Sequence, residues 1–232
     1  MASDDPSTSI RTTWVISLDY VKGRGRDGEN AVKLLQLFSF FNNTKIEHDI
    51  FTRPSTTEWK PFSINDLPAW FQDVTQSSLS LNRAIRMLGK YSLIQQHSTH
   101  KHSSVHPVVH EWSYYVGRKM HPNLCRTAAV IIASGAIYQS DLAVIRGGFE
   151  LLPHCRRLVQ ILTGKPVPYG LQMALEEEVM WKALALIGVV FRQSRKPESG
   201  HGAGSVQAAI EQRQEDPGYF HLIQLWRLNK FA

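Results

Sequence analysis

Beyond His121 the apolar residues recur at a single spacing, and that spacing is helical. Leu124, Ala128, Ile131 and Ile132 fit one helix, and Leu142, Ile145 and Phe149 fit another. Gly147-Gly148 and Pro153 weaken or break the second pattern. Pro153 suits the first turn of a following helix through Leu158, Ile161 and Leu162. Leu171, Leu175, Val179, Leu184, Ile187 and Phe191 mark a long helix that ends before Pro197. After a Gly-rich connector at 200–204, residues 206–214 and 220–228 read as two short helices. Paired helices with short joins and no strands between them exclude a βαβ sheet and predict an α-solenoid-like stack.

The N-terminal half is more varied. Its first residues are polar and predict a frayed tail. Trp14, Ile16, Leu18 and Val21 have a spacing that fits a strand or a short helix equally. The segment Lys22-Gly-Arg-Gly-Arg-Asp-Gly28 reads as a mobile basic loop. Ala31, Leu34, Leu35, Phe38 and Phe41 then recur at helical spacing, widened by Val32, Leu37 and Phe40, as a core helix requires. Residues 52–78 hold Ser, Thr, Pro and Trp without a sustained period, which predicts a long loop with short turns. Leu81, Ala84, Ile85 and Leu88 form one face of a second clear helix. Two β-leaning runs, 91–95 and 104–108, flank a polar tip and predict a hairpin. Helix, helix and hairpin in that order is a winged-helix pattern.

Composition bounds the function classes. At 232 residues, with 43% hydrophobic and 20% charged side chains, the chain can bury a sizeable core. It has no apolar run of membrane-spanning length, and its start lacks the basic and apolar regions of a secretory signal. Two cysteines without a CxxC exclude a disulfide framework, so a soluble, cytoplasmic protein with no membrane partner is expected. The net charge of +6 is spread evenly over both halves and does not by itself indicate a polyanion partner.

The motifs narrow the chemistry further. Gly23-Arg-Gly25-Arg-Asp-Gly28 matches GxGxxG, but no second or third βαβ unit follows, so an exposed loop is expected instead of a dinucleotide site. A GxxxxGK[ST] phosphate cradle is missing: Gly89-Lys90 precedes Tyr91, and Gly164-Lys165 precedes Pro166. His97, His100, His102, His106, His110 and His121 crowd one stretch. His106 and His110 have zinc-compatible spacing but no completing carboxylate or thiol, so no metal is expected. Arg83, Arg86 and Lys90 give the 81–90 helix a cationic flank suited to a protein domain or, in an alternative reading, to a DNA groove. Asn82 is the only neutral base-reading side chain there, so a DNA partner is not the expectation. No GxSxG elbow or other catalytic constellation is present, and no enzyme activity is expected.

Several runs together resemble a known family. Leu88-Gly-Lys-Tyr-Ser-Leu-Ile94 and Ser104-Val-His-Pro-Val-Val-His-Glu-Trp112 resemble the winged-helix segment of NB-ARC signalling ATPases. These are the NOD-like, STAND-class proteins, in particular fungal ones with TPR-like repeats. Thr12-Thr-Trp-Val-Ile-Ser-Leu18, the apolar pattern of residues 31–41, and Leu151-Leu-Pro-His-Cys155 resemble flanking pieces in the same order. The resemblance covers about residues 12–162. It implies that His106 is the histidine that hydrogen-bonds the β-phosphate of ADP held in a neighbouring nucleotide-binding domain. Pro107 stands where that family usually has an acid. Trp181 and Leu184 echo the start of a TPR repeat.

The expected architecture is therefore mainly α: a disordered tail (1–11), a winged-helix domain (12–121), a helical linker (122–168) and degenerate TPR-like helix pairs (169–232). The expected role is a non-catalytic regulatory segment with no cofactor of its own. ADP or ATP enters only through a nucleotide-binding module supplied by a partner, and other protein ligands meet the repeat region.

Overall fold

A computed structural model of the chain describes residues 6–52, 62–97, 101–141, 145–164 and 177–193. Among them are nine α-helices and three short strands. The chain divides into two units, Met1–Trp59 with Ser63–Met120, and Lys60–Phe62 with His121–Ala232.

In the first unit, α1 (Pro6–Lys22) and α2 (Arg26–Phe38) are joined by a three-residue turn. The expected tail is thus helical from Pro6, whose fixed φ suits a first helical position. The ambiguous stretch beginning at Thr12 is helical too. Leu18 and Val21 are buried and Trp14 is half-buried, whereas Ile16 is half exposed, which settles the period as 3.6. The basic loop is shorter than expected. Gly25 takes the left-handed φ of 69° at the cap, and Arg26 already begins α2. Gly28 lies inside α2 against α1, where a Cβ would fall 1.8 Å from the Val21 carbonyl oxygen. The GxGxxG match therefore links two helices, with α1 standing where a dinucleotide fold requires a strand.

Helix α2 is the centre of this unit. Ala31, Leu34, Leu35, Leu37 and Phe38 are almost fully buried, and α1, α4, α5 and α6 all pack on it. Between α2 and α5 the chain forms β1 (Ile46–Glu47), α3 (Asp49–Thr52), a 3-10 turn (Ile64–Asp66) and α4 (Ala69–Thr75). The expected loop at 52–78 is thus helical from Ala69, because Trp70, Phe71 and Val74 supply a buried face. Residues 53–61 of that loop lie outside the described residues. Phe51 joins the layers, its ring centroid 5.4 Å from both Phe38 and Phe41 and 6.5 Å from Phe71.

Helix α5 (Ser78–Lys90) starts at Ser77, whose hydroxyl accepts from the Ser80 N–H at 3.1 Å. Its buried residues are Leu81, Ala84, Ile85 and Leu88, the face that sequence spacing assigns. The hairpin follows as β2 (Gln95–His97) and β3 (His102–Ser104). β3 is also paired to β1, so the sheet order is β1-β3-β2, antiparallel throughout. Strand β1 has only two residues and no sequence signature. Residues 104–108, expected as strand, end at Ser104. Pro107 cannot donate to a ladder, and it opens α6 (Pro107–Val116) instead.

The second unit contains α7 (His121–Asp141), α8 (Ile145–Thr163) and α9 (Glu178–Gln193), with α9 packed on both others. Leu124, Cys125, Ala128 and every residue from Ala129 to Ala133 are fully buried, so α7 is enclosed on all sides between Thr127 and Gly135. The stretch 122–168, expected as a helical linker, holds fully buried residues at Ala128–Ala133 on α7 and at Cys155, Leu158 and Leu162 on α8. Gly147-Gly148 and Pro153 do not end α8. Pro153 sits inside it on an exposed position, where water can take the carbonyl that the missing N–H leaves. Leu171, Leu175 and the two short helices expected at 206–214 and 220–228 lie outside the described residues. Burial pushes the Cys155 thiol up to about 12, and the Cys125 thiol also lies well above the ordinary range. Both cysteines are free. Among the described residues, no helix is long and apolar enough to cross a membrane.

Candidate interaction site on the first unit

His106 stands at the junction of hairpin and helix. The preceding residue, Val105, is buried and held twice by Asn43. Its N–H donates to the Asn43 carbonyl at 2.8 Å, and its carbonyl accepts from Asn43 Nδ2 at 3.1 Å. His106 then caps α6, and its Nδ1 accepts from the Val108 N–H at 3.3 Å. A ring that accepts at Nδ1 carries its proton on Nε2 when neutral. The side chain is exposed, so this cap presents an N–H donor to solvent. Pro107 needs no partner for its missing N–H at the first helical position.

Four residues on, His110 faces the other way. It is 4% exposed, and its Nε2 donates to the carbonyls of Phe38 at 3.1 Å and Phe41 at 2.9 Å. The Phe38 carbonyl ends α2 and also accepts from the Phe41 N–H at 3.0 Å, and the Phe41 carbonyl lies just beyond the helix. His110 is thus a buried cap on α2. The zinc pairing of His106 with His110 does not form, since one ring caps outward and the other points into the core. Sequence spacing could not reveal this, because the partners lie 72 and 69 residues away.

Of the remaining histidines of that stretch, His97 and His102 sit in the hairpin and His121 opens α7. His97 and His102 are directly opposed, with ring centroids 4.7 Å apart and nearly parallel. His97 Nε2 is hydrogen-bonded to Ser104 Oγ at 3.0 Å, and His48 Nε2 to Ser103 Oγ at 2.9 Å. Burial, chiefly, lowers the His48 pKa below its ordinary value, and nearby His102 adds to that while Asp49 opposes it. Among the described residues no group of three His, Cys, Asp or Glu is placed to hold a metal ion. His100 lies outside the described residues.

The cationic flank divides as well. Arg83 Nη1 meets Asp27 Oδ2 on α2 at 3.3 Å, an exposed pair of small energetic value. Arg86 is exposed, and Lys90 Nζ lies 6.0 Å from the Tyr91 ring centroid. Tyr91 stacks on Tyr20 with centroids 6.3 Å apart and accepts from Arg24 Nη2 at 3.3 Å, a hydrogen bond that lowers its phenol pKa. Among the described residues, no hydrogen bond, ion pair or ring contact joins His106 to Arg83, Arg86 or Lys90.

Residues 26–123, from the first residue of α2 to the start of α7, match the model of a domain of unknown function (DUF7779). Helix α1 lies outside the matched stretch. No curated protein and no solved structure matches the chain.

Proposed function

We propose that the first unit is a winged-helix regulatory module of the NB-ARC, STAND-class type. In this reading it is non-catalytic and cytoplasmic, and it docks on a nucleotide-binding domain supplied by a partner. One observation carries the reading. Asn43 holds Val105 at the end of the hairpin, and the cap made by the next residue, His106, leaves its Nε2–H exposed as a donor for an anionic oxygen. A donor placed this way responds to whether a terminal or a β-phosphate oxygen lies opposite, because the two differ in position and charge. Helices α7 and α8 then fall in the helical linker and α9 in the TPR-like region that receives the docked state. Arg86 and Lys90 on α5 remain available for the same protein surface. Asn82 is the only neutral base-reading side chain on α5, which weighs against DNA as partner.

The test mixes the full chain with an isolated NB-ARC module loaded with ADP or ATP. Binding that favours ADP, and that His106→Ala weakens about tenfold in ADP alone, is the expected result. Equal binding of mutant and wild-type chains overturns the assignment of His106. Salt-sensitive duplex binding lost in Arg83→Ala/Arg86→Ala favours the DNA reading instead.

A further inference from the structure

Three helices of the first unit enclose a polar cleft of about 300 Å3. Its rim is made of two ion pairs that each span two helices. Arg26 Nη2 meets Asp73 Oδ2 at 2.6 Å, and Arg83 Nη1 meets Asp27 Oδ2 at 3.3 Å. Each pair engages one nitrogen and one oxygen, so each guanidinium keeps further N–H donors and each carboxylate keeps a second oxygen. The rim therefore offers both signs of charge with no net charge. Val74 and Ala84, small and buried, line the cleft with Asn30.

Asn30 is 7% exposed, yet its carboxamide makes no hydrogen bond among the described residues. Neither of its polar atoms is sealed from solvent, so the carboxamide is open to a ligand group in the cleft it lines.

We propose that this cleft binds a free α-amino acid as its zwitterion. A simple anion would meet the two rim carboxylates, and a simple cation the two guanidinium groups; a ligand carrying both charges is opposed by neither. The α-carboxylate takes spare N–H groups of Arg26 and Arg83 together with the Asn30 amide. The α-ammonium donates to the spare oxygens of Asp27 and Asp73. A chain terminus brings only one of the two charges, whereas a free amino acid brings both within the size of the cleft. The ligand's side chain lies over Val74 and Ala84. This site does not use His106, so it stands or falls apart from the docking reading.

The experiment is calorimetric titration of the full chain with the twenty common amino acids, and with propionate, propylamine and glycine betaine. At least one amino acid is expected to bind saturably, with propionate and propylamine giving no saturation up to about 10 mM. Betaine keeps both charges but lacks ammonium N–H donors, and is expected to bind about tenfold more weakly. Asn30→Ala and Arg83→Gln are each expected to weaken the amino acid about tenfold. Arg83 is 61% exposed, so Arg83→Gln keeps the test intact even where Asn30→Ala disturbs folding. No saturable binding by any of the twenty up to about 10 mM overturns the proposal. Binding that propionate matches, or that Arg83→Gln leaves unchanged, overturns it as well.

Discussion

Replacing Gly28 by Ala adds one methyl group at the crossing of α1 and α2. The new Cβ would stand 1.8 Å from the Val21 carbonyl oxygen, 2.9 Å from its carbon and 3.1 Å from Arg24 Cβ. The obstacle is backbone, so no rotamer change relieves it. Restoring an ordinary contact near 3.4 Å needs about 1.6 Å of retreat by α1. One route is strained repacking, for which overpacked cores lose about 1–3 kcal/mol and backbone clashes more. The other is to undock the end of α1, exposing Leu18 and Val21 at about 1.5–3 kcal/mol each. Against either stands the helix preference of Ala over Gly, about 1 kcal/mol. The net expectation is about 2–4 kcal/mol of destabilisation. Urea unfolding followed by circular dichroism and tryptophan fluorescence measures it, since Trp14 contacts Trp112 within this unit at 6.2 Å. Gly89→Ala is the control. There the Cβ meets the flexible Gln96 side chain at 3.5 Å, and a gain of up to about 1 kcal/mol is expected. A Gly28→Ala chain as stable as the wild type would refute the close crossing.

Other outcomes follow from the same contacts. His110→Leu removes the donor that caps α2 and is expected to cost about 2–3 kcal/mol in the same urea assay. The lowered pKa of His48 means the unfolded chain binds its proton more tightly. Stability is therefore full above the ordinary histidine range and falls as pH drops through it towards the folded value. His48→Gln is expected to flatten stability measured between about pH 7 and pH 5. Cys125 and Cys155 are expected to react with a thiol reagent far more slowly in the native chain than in urea. Burial keeps both as thiols, and a mass-spectrometric time course reads the ratio.

The helices legible in the sequence are those whose own apolar period outweighs their surroundings. Leu81, Ala84, Ile85 and Leu88 reappear as the buried face of α5, and Leu34, Leu35 and Phe38 as the centre of α2. Where β-branched residues fill an outer face, as at Val15 and Ile16, strand and helix patterns compete, and only packing chose the helix. Trp70, Phe71 and Val74 carry the helical period of α4, but the turn-forming residues around them hid it. Local rules treat Pro153 as a breaker and place it at a helix start, whereas its exposure on α8 lets it sit inside the helix. The cleft was not legible at all. Its ion pairs join residues 47 and 56 positions apart, and nothing local to Arg26 or Arg83 names the partner. His106 could be placed by its neighbours in sequence, whereas its outward ring depends on the cap it makes with Val108.

The middle position of β3 gives the hairpin a mechanical role. A hairpin with one free edge can swing about its base at little cost. Here β3 is stitched on its far side to Ile46 and Glu47, and the His48 N–H donates to the Lys101 carbonyl at 3.0 Å. Any displacement of β3 must therefore drag residues 46–48. The chain leads directly from them into α3, where Phe51 is wedged between Phe38, Phe41 and Phe71. Strand β3 is thus tied through residues 46–48 to the phenylalanines at the centre of the unit.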